Sequence, residues 1–193
     1  MTLQHTRTLD AHLAASQQGL ASLVTEIDRL QRWGEDLRRR LERGGRLLVA
    51  GNGGSAALAH HLAGEMVGRF DREREPFSAI ALSGDPAGLT AIGNDYGYDE
   101  VFARQVHAHG RQGDVLVALS TSGRSPNLLK AVDVGRRSGL SAWALTGPAP
   151  NPLADAADDA VAVPCPDTPS VQDVHQVAVH LLCLAFENAA DRW

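Results

Sequence analysis

The sequence predicts an α/β fold: a three-layer αβα sandwich around a five-stranded parallel sheet, doubly wound, with helices ahead of the first strand. Three observations predict it. Short apolar runs bounded by turn residues recur at Arg46–Ala50, Ser78–Leu82, Val115–Leu119, Ser141–Leu145 and Ala160–Val163. They are near-continuous rather than alternating, as expected of parallel strands covered on both faces. The stretches between them read as helices, and three open on a cap residue followed by proline: Asp85-Pro86, Ser125-Pro126 and Asn151-Pro152. A side-chain oxygen at the cap and a proline in the first turn together form a helix start signal.

Ahead of the strands, His5 to Arg43 has helical periodicity, with Leu13, Leu20, Leu23, Ile27, Leu30, Leu37 and Leu41 at spacings of three, four and seven. Trp33-Gly34 is the expected interruption. A helical region of this length either packs against another subunit or covers one face of its own domain. The last helix is expected from about Ser170 to Ala190, with Val174, Val177, Leu181, Leu184 and Ala185 apolar. No internal repeat or low-complexity linker occurs, and 193 residues with 44% hydrophobic content suit one domain over 1–193, with 1–43 as its helical N-terminal segment.

Composition excludes some function classes. A formal net charge of -5 argues against a broad nucleic-acid or membrane surface. It leaves room for an anionic substrate, which a few local donors suffice to hold. Lys130 is the only lysine among 18 basic residues, a bias better explained by coding than by chemistry. Cys165 and Cys183 form neither a disulfide framework nor a CxxC pair, and read as small buried apolar residues in a reducing compartment. The N-terminus lacks the pattern of a signal peptide, and no apolar run approaches the roughly 20 residues of a membrane span. A cytoplasmic protein is expected.

In a doubly wound sheet the ligand sits at the carboxyl ends of the strands, so the loops there carry the chemistry. The loop after the third strand is Ser120-Thr121-Ser122-Gly123-Arg124-Ser125, running into the helix that Pro126 starts. Four serine and threonine hydroxyls, that of the cap included, a glycine and the free N–H groups of a helix N-terminus suit a phosphate; the alternative is an ordinary polar loop with one cap. Neither a P-loop (GxxxxGKS/T) nor a GxGxxG fingerprint occurs. The loop after the first strand, Gly51-Asn52-Gly53-Gly54-Ser55, also opens a helix and adds amide and hydroxyl groups. On that helix His61 and Glu65 are four residues apart and share a face, as a metal pair or as a surface pair. The last helix supplies Gln172, His175 and His180. Gln172 and His180 lie about 12 Å apart along a helix, so they do not readily reach one metal unless the helix starts late or a subunit contact intervenes. His5, His12, His107 and His109 read as solvated or packing residues.

The runs GNGGSAALAHHLAGEMVGRF at 51–70, LTAIGNDYGYDEVFARQV at 89–106, GDVLVALSTSGRSPNLLKA at 113–131 and VQDVHQVAVHLLCLAFE at 171–187 resemble bacterial phosphoheptose isomerases. These are the sedoheptulose 7-phosphate isomerases of the sugar isomerase (SIS) domain superfamily. The likeness covers nearly the whole chain, with the motifs in order. It implies a homotetramer with active sites between subunits and one labile zinc ion per subunit. His61, Glu65, Gln172 and His180 would be the zinc-site residues, with Glu65 and His180 also the acid–base pair. Ser55, Ser120, Thr121, Ser122 and Ser125 would hold the phosphate, while Asn52, Gly53, Asn94, Asp95, Glu65 and Gln172 would meet the rest of the substrate. The chain departs from the family pattern at Arg124 (usually Asn), Leu58 (usually Asp), Ser170 (usually Arg) and the stiff turn Gly147-Pro148-Ala149-Pro150.

The implied reaction is an aldose–ketose isomerisation of sedoheptulose 7-phosphate to D-glycero-D-manno-heptose 7-phosphate through an ene-diol. It needs a base near C1 and C2 and an acid or metal to polarise the oxygens. Two alternatives remain. One is another phosphosugar isomerase. The other is a non-catalytic SIS protein like the tetrameric relative that binds the bacterial replication initiator, which has Ser and Asn where this chain has Glu65 and His180. Regulators of this superfamily carry an added DNA-binding domain, for which 193 residues leave no room.

Overall fold

A computed structural model of the chain describes residues 8–192. Two helices, α1 (Leu9–Ser22) and α2 (Ile27–Glu42), are joined by a 3-10 turn at Leu23–Glu26. The expected start of this region at His5 lies outside the described residues. The interruption falls at the turn and not at Trp33-Gly34, which sit inside α2. The reason is packing. A Cβ on Gly34 would stand 2.5 Å from Ala185 Cβ and 2.6 Å from the Phe186 nitrogen, so the glycine is there to let two helices touch. Trp33 is buried on the same helix, stacked on Trp143 at 4.9 Å between ring centroids, with its indole N–H donating to Asp159 at 2.8 Å.

The strands follow as β1 (Leu47–Gly51), β2 (Ala79–Ala81), β3 (Val115–Ser120), β4 (Ser141–Thr146) and β5 (Asp159–Ala162). All pair in parallel, in the order β2-β1-β3-β4-β5. The helices between them are α3 (Gly54–Val67), α4 (Pro86–Tyr96), α5 (Ala103–His109), α6 (Pro126–Arg137), α7 (Pro152–Ala156) and α8 (Thr168–Asn188). Alternate strand residues feed opposite cores. Leu47, Val49, Val117 and Trp143 face α2, α3 and α8, while Leu48, Ala50, Leu116, Ala118 and Ala144 face α5, α6 and α7. Burial on both faces is why the apolar runs lack alternation.

The expected five-stranded, doubly wound sandwich is therefore the observed one. Its strand order reverses between β1 and β3, which leave the sheet toward opposite faces: β1 leads into α3 and β3 into α6. A crevice opens at the carboxyl ends of strands that diverge in this way. Among the described residues no helix is long and apolar enough to cross a membrane.

Candidate active site

Five helices begin at the carboxyl edge of the sheet, and three are closed by a side chain. Asp85 caps α4, Asn151 caps α7 and Asp167 caps α8, each accepting a backbone N–H of the first turn. Neither α3 nor α6 has such a cap. Ser125 stands at the cap position of α6, but its hydroxyl is turned to Ser120 Oγ, 3.4 Å away. The two helices that leave the switch point thus keep their N-terminal donors and positive ends for something else.

Between them lies a pocket of about 310 Å³. Ser120, Thr121, Ser122 and Ser125 line one side, and Asn52, Gly53 and Ser55 the other, with Thr168 and Gln172 from the start of α8 closing the end. The serine loop is held open from within: Gly123 N–H donates to Ser120 Oγ at 3.0 Å and Arg124 N–H to Ser122 Oγ at 3.2 Å. Gly123 has φ +62, and a Cβ there would overlap Asn151 Oδ1 at 1.9 Å. Asn151 also donates to Thr146 Oγ1 at 3.0 Å and to the Pro148 carbonyl at 3.2 Å, which ties the proline turn to the serine loop. Asn52 is fixed by a reciprocal pair of amide bonds with buried Asn127, 3.0 and 2.9 Å, and by the Tyr98 hydroxyl at 3.0 Å.

A second group lies further along α3 and α8. His61 Nε2 is 2.8 Å from His180 Nε2 and 3.5 Å from Glu65 Oε1, while Gln176 Nε2 is also 2.8 Å from His180 Nε2. His180 is flanked by the Phe70 ring, 5.5 Å between centroids. His180 thus comes up to the face that carries His61 and Glu65 within one chain. Gln172, by contrast, stays in the serine pocket, packed over Gly54. Among the described residues no three His, Cys, Asp or Glu side chains are placed to hold a metal ion. Asn94 and Asp95 are exposed at the end of α4, bonded to each other at 2.8 Å, and neither lines the pocket.

Some residues with structural roles were not singled out by spacing. Glu187 is buried near the end of α8, where its carboxylate accepts the backbone N–H groups of Phe70, Asp71 and Arg72 at 3.1–3.3 Å. Arg74, stacked on Phe77 and Phe186, donates to the Met66 carbonyl at 3.0 Å and to the Glu65 carbonyl. Together they tie the segment after α3 to α8 and set where Glu65 stands. A lone acidic residue in a final helix carries no sequence signal for this. Burial raises the Cys183 thiol far above its ordinary range, with the charges of Glu65 and Glu187 adding to the effect, so Cys183 remains a neutral packing residue.

The SIS domain family matches residues 11–147. A phosphoheptose isomerase of Streptomyces coelicolor is 55% identical over 94% of this chain and 78% of its own length. The chain belongs to the phosphoheptose isomerase family. A phosphoheptose isomerase structure from Francisella tularensis superposes with a TM-score of 0.87 at 33% identity, over 93% of this chain and 96% of that one. One from Neisseria gonorrhoeae gives 0.85 at 38% identity, over 93% and 97%. Against the family pattern, Leu58 is buried in the core. Arg124 is exposed and does not line the pocket. Ser170 is buried against α1, its hydroxyl 3.4 Å from His12 Nδ1, while His12 Nε2 lies 3.2 Å from Asp173. His12 is thus a packing residue, and His107 and His109 are exposed.

Proposed function

We propose that this chain is an aldose–ketose isomerase that converts sedoheptulose 7-phosphate to D-glycero-D-manno-heptose 7-phosphate. One observation carries the reading: an uncapped, serine-lined anion pocket shares helices α3 and α8 with a group in which His61 lies against both Glu65 and His180. The first part suits the phosphate. The second suits proton transfer at the other end of the sugar. The non-catalytic alternative is not favoured, because a relative that is 55% identical is named as an isomerase.

Ser120, Thr121, Ser122 and Ser125, with Ser55 and the first-turn N–H groups of α3 and α6, hold the phosphate dianion. Its binding energy orients the reacting carbons. Asn52, positioned by Asn127 and Tyr98, and Gly53 meet the chain hydroxyls together with Gln172. Glu65 and His180 carry the proton between C1 and C2, one acting as base and the other as acid as the ene-diol forms and collapses.

The donor types suit zinc, although the three side chains do not stand in a metal-holding arrangement as they are and would have to adjust around an ion. His61 Nε2 lies against both other groups, and its 3.5 Å separation from Glu65 Oε1 suits neighbouring ligands of a tetrahedral ion. The two nitrogens, 2.8 Å apart, would open by about half an ångström to share one ion with bonds of about 2.0–2.1 Å. His61, Glu65 and His180 would hold it; Gln172, which the family resemblance adds to the set, lies in the serine pocket of its own chain and would complete the set only from a neighbouring subunit. When bound, zinc would polarise the sugar oxygens and stabilise developing negative charge.

A homotetramer with active sites between subunits completes the proposal. Leu9 (89% exposed), Val24 (68%) and Ile27 (51%) leave an apolar face on α1, the turn and α2, and no residue of α4 is fully buried. That exposure supports a partner over these surfaces, and such a partner would bring Asn94 and Asp95 to a neighbouring site. A cytoplasmic location goes with this reading, since a phosphorylated sugar does not cross a membrane unaided.

The test is NMR of sedoheptulose 7-phosphate turnover, with and without added zinc, on the wild type and Glu65→Gln. Turnover by the wild type and a loss of about 10²–10⁴-fold in kcat for the variant are expected. Intact turnover in the variant would rule out the acid–base assignment.

A further inference from the structure

At the amino end of β1 and β3, opposite the serine pocket, lies a cleft of about 480 Å³. Arg39, Arg40 and Arg43 from the end of α2 form one wall, and Arg111 and Gln112 from the loop before β3 form the other. Two carboxylates, Asp36 and Asp114, stand among these four guanidinium groups, and both are already engaged. Asp36 is forked between Arg39 and Arg40 Nε, the latter at 2.8 Å. Buried Asp114 accepts the backbone N–H groups of Arg46 at 2.9 Å and Arg111 at 3.0 Å. Among the described residues no ion pair engages Arg43.

The cleft therefore carries an uncompensated positive charge and spare guanidinium N–H groups: each arginine has five donors, and at most two per residue are bound within the protein. Its floor is Gly44, Gly45 and Gly113, and no aliphatic or aromatic side chain lines it. An apolar ligand or a stacked base would find no wall to pack on. Guanidinium forks on two sides of a concave, wholly polar site match phosphate oxygens, and a wall of them on each side offers a place for each of two phosphate groups.

We propose that this cleft is a second anion site, taking a small metabolite that carries two phosphate groups, either a diphosphate or a sugar bisphosphate. It lies a strand's length from the serine pocket, about 17 Å, so its occupant does not compete with the substrate. The site is independent of the isomerase reading, since none of its residues belongs to the proposed catalytic machinery.

Isothermal titration calorimetry tests it, with inorganic pyrophosphate, a hexose 1,6-bisphosphate and inorganic phosphate as probes. At least one of the two doubly phosphorylated probes is expected to bind ten-fold or more tightly than phosphate, and which one does so separates the two sources. Arg43→Ala/Arg111→Ala, both at exposed positions, should lose that preference while keeping wild-type turnover, which also reports an intact fold. Ser122→Asp, which closes the serine pocket to anions, should retain it. Arg136→Ala/Arg137→Ala makes the same change of net charge on α6 and should bind as the wild type does. The proposal is overturned if neither probe outbinds phosphate, if both arginine pairs weaken binding alike, or if Ser122→Asp removes it.

Discussion

His175 makes acid stability a direct reading of one buried side chain. It has no exposed surface, and its Nε2 lies 3.1 Å from the Thr146 carbonyl, an acceptor, so Nε2 carries the proton. Nδ1 is buried without a partner. Burial lowers its pKa from 6.5 to about 4, against the raising effect of the Thr146 bond. A folded value below the unfolded one means that protons favour the unfolded chain. The stability is complete above about pH 6.5, declines as the pH falls toward 4, and loses nothing more from this group below that. At about 1.4 kcal/mol per tenfold change, the loss is about 2 kcal/mol at pH 5 and about 3 kcal/mol at pH 4. The measurement is urea unfolding at pH 7.5 and pH 5, at one protomer concentration, for the wild type and His175→Gln. The glutamine still offers an N–H toward Thr146 but takes up no proton. The wild type should lose about 2 kcal/mol more than the variant between the two pH values. Equal losses would refute the assignment of acid sensitivity to this imidazole.

Two further substitutions probe the scaffold of the site. Gly123→Ala places a Cβ at positive φ and into Asn151; a loss of about 2–4 kcal/mol in thermal unfolding and a raised KM for the phosphorylated substrate are expected. Glu187→Gln removes the charge that three consecutive backbone N–H groups share. It should cost about 2–3 kcal/mol, and limited proteolysis should then cut within residues 68–77, between α3 and β2.

The strands were legible because burial on both faces writes itself as unbroken apolar runs, and each expected strand lies within two residues of the observed one. The three proline-marked helix starts were equally legible, and α4, α6 and α7 begin at Pro86, Pro126 and Pro152. What the signal could not convey is that Ser125 declines to cap while Asp85 and Asn151 do, since that depends on Ser120 lying across the loop. Gly34 was misleading for a related reason. A glycine inside a helical pattern reads as a break until the opposing helix is known, and α8 is 150 residues further along the chain. The site followed the same division: i,i+4 spacing put His61 and Glu65 on one face, whereas the arrival of His180 depends on how α3 and α8 cross.

On the proposed assignment, that crossing also gives α8 two functions at one spacing. Its first turns carry Thr168 and Gln172 into the serine pocket, and His180 meets His61 two turns later. Eight residues of helix separate them by about 12 Å. An extended seven-carbon sugar phosphate has its phosphate at one end and its reacting C1 and C2 at the other, so it too must join two places set well apart. A three-carbon phosphate seated among the serines would leave its carbonyl short of Glu65 and His180. On this argument the length of α8 between Gln172 and His180 acts as a ruler for substrate length. Within its own chain Gln172 lies at the serine-pocket end of this span and not at the histidine pair.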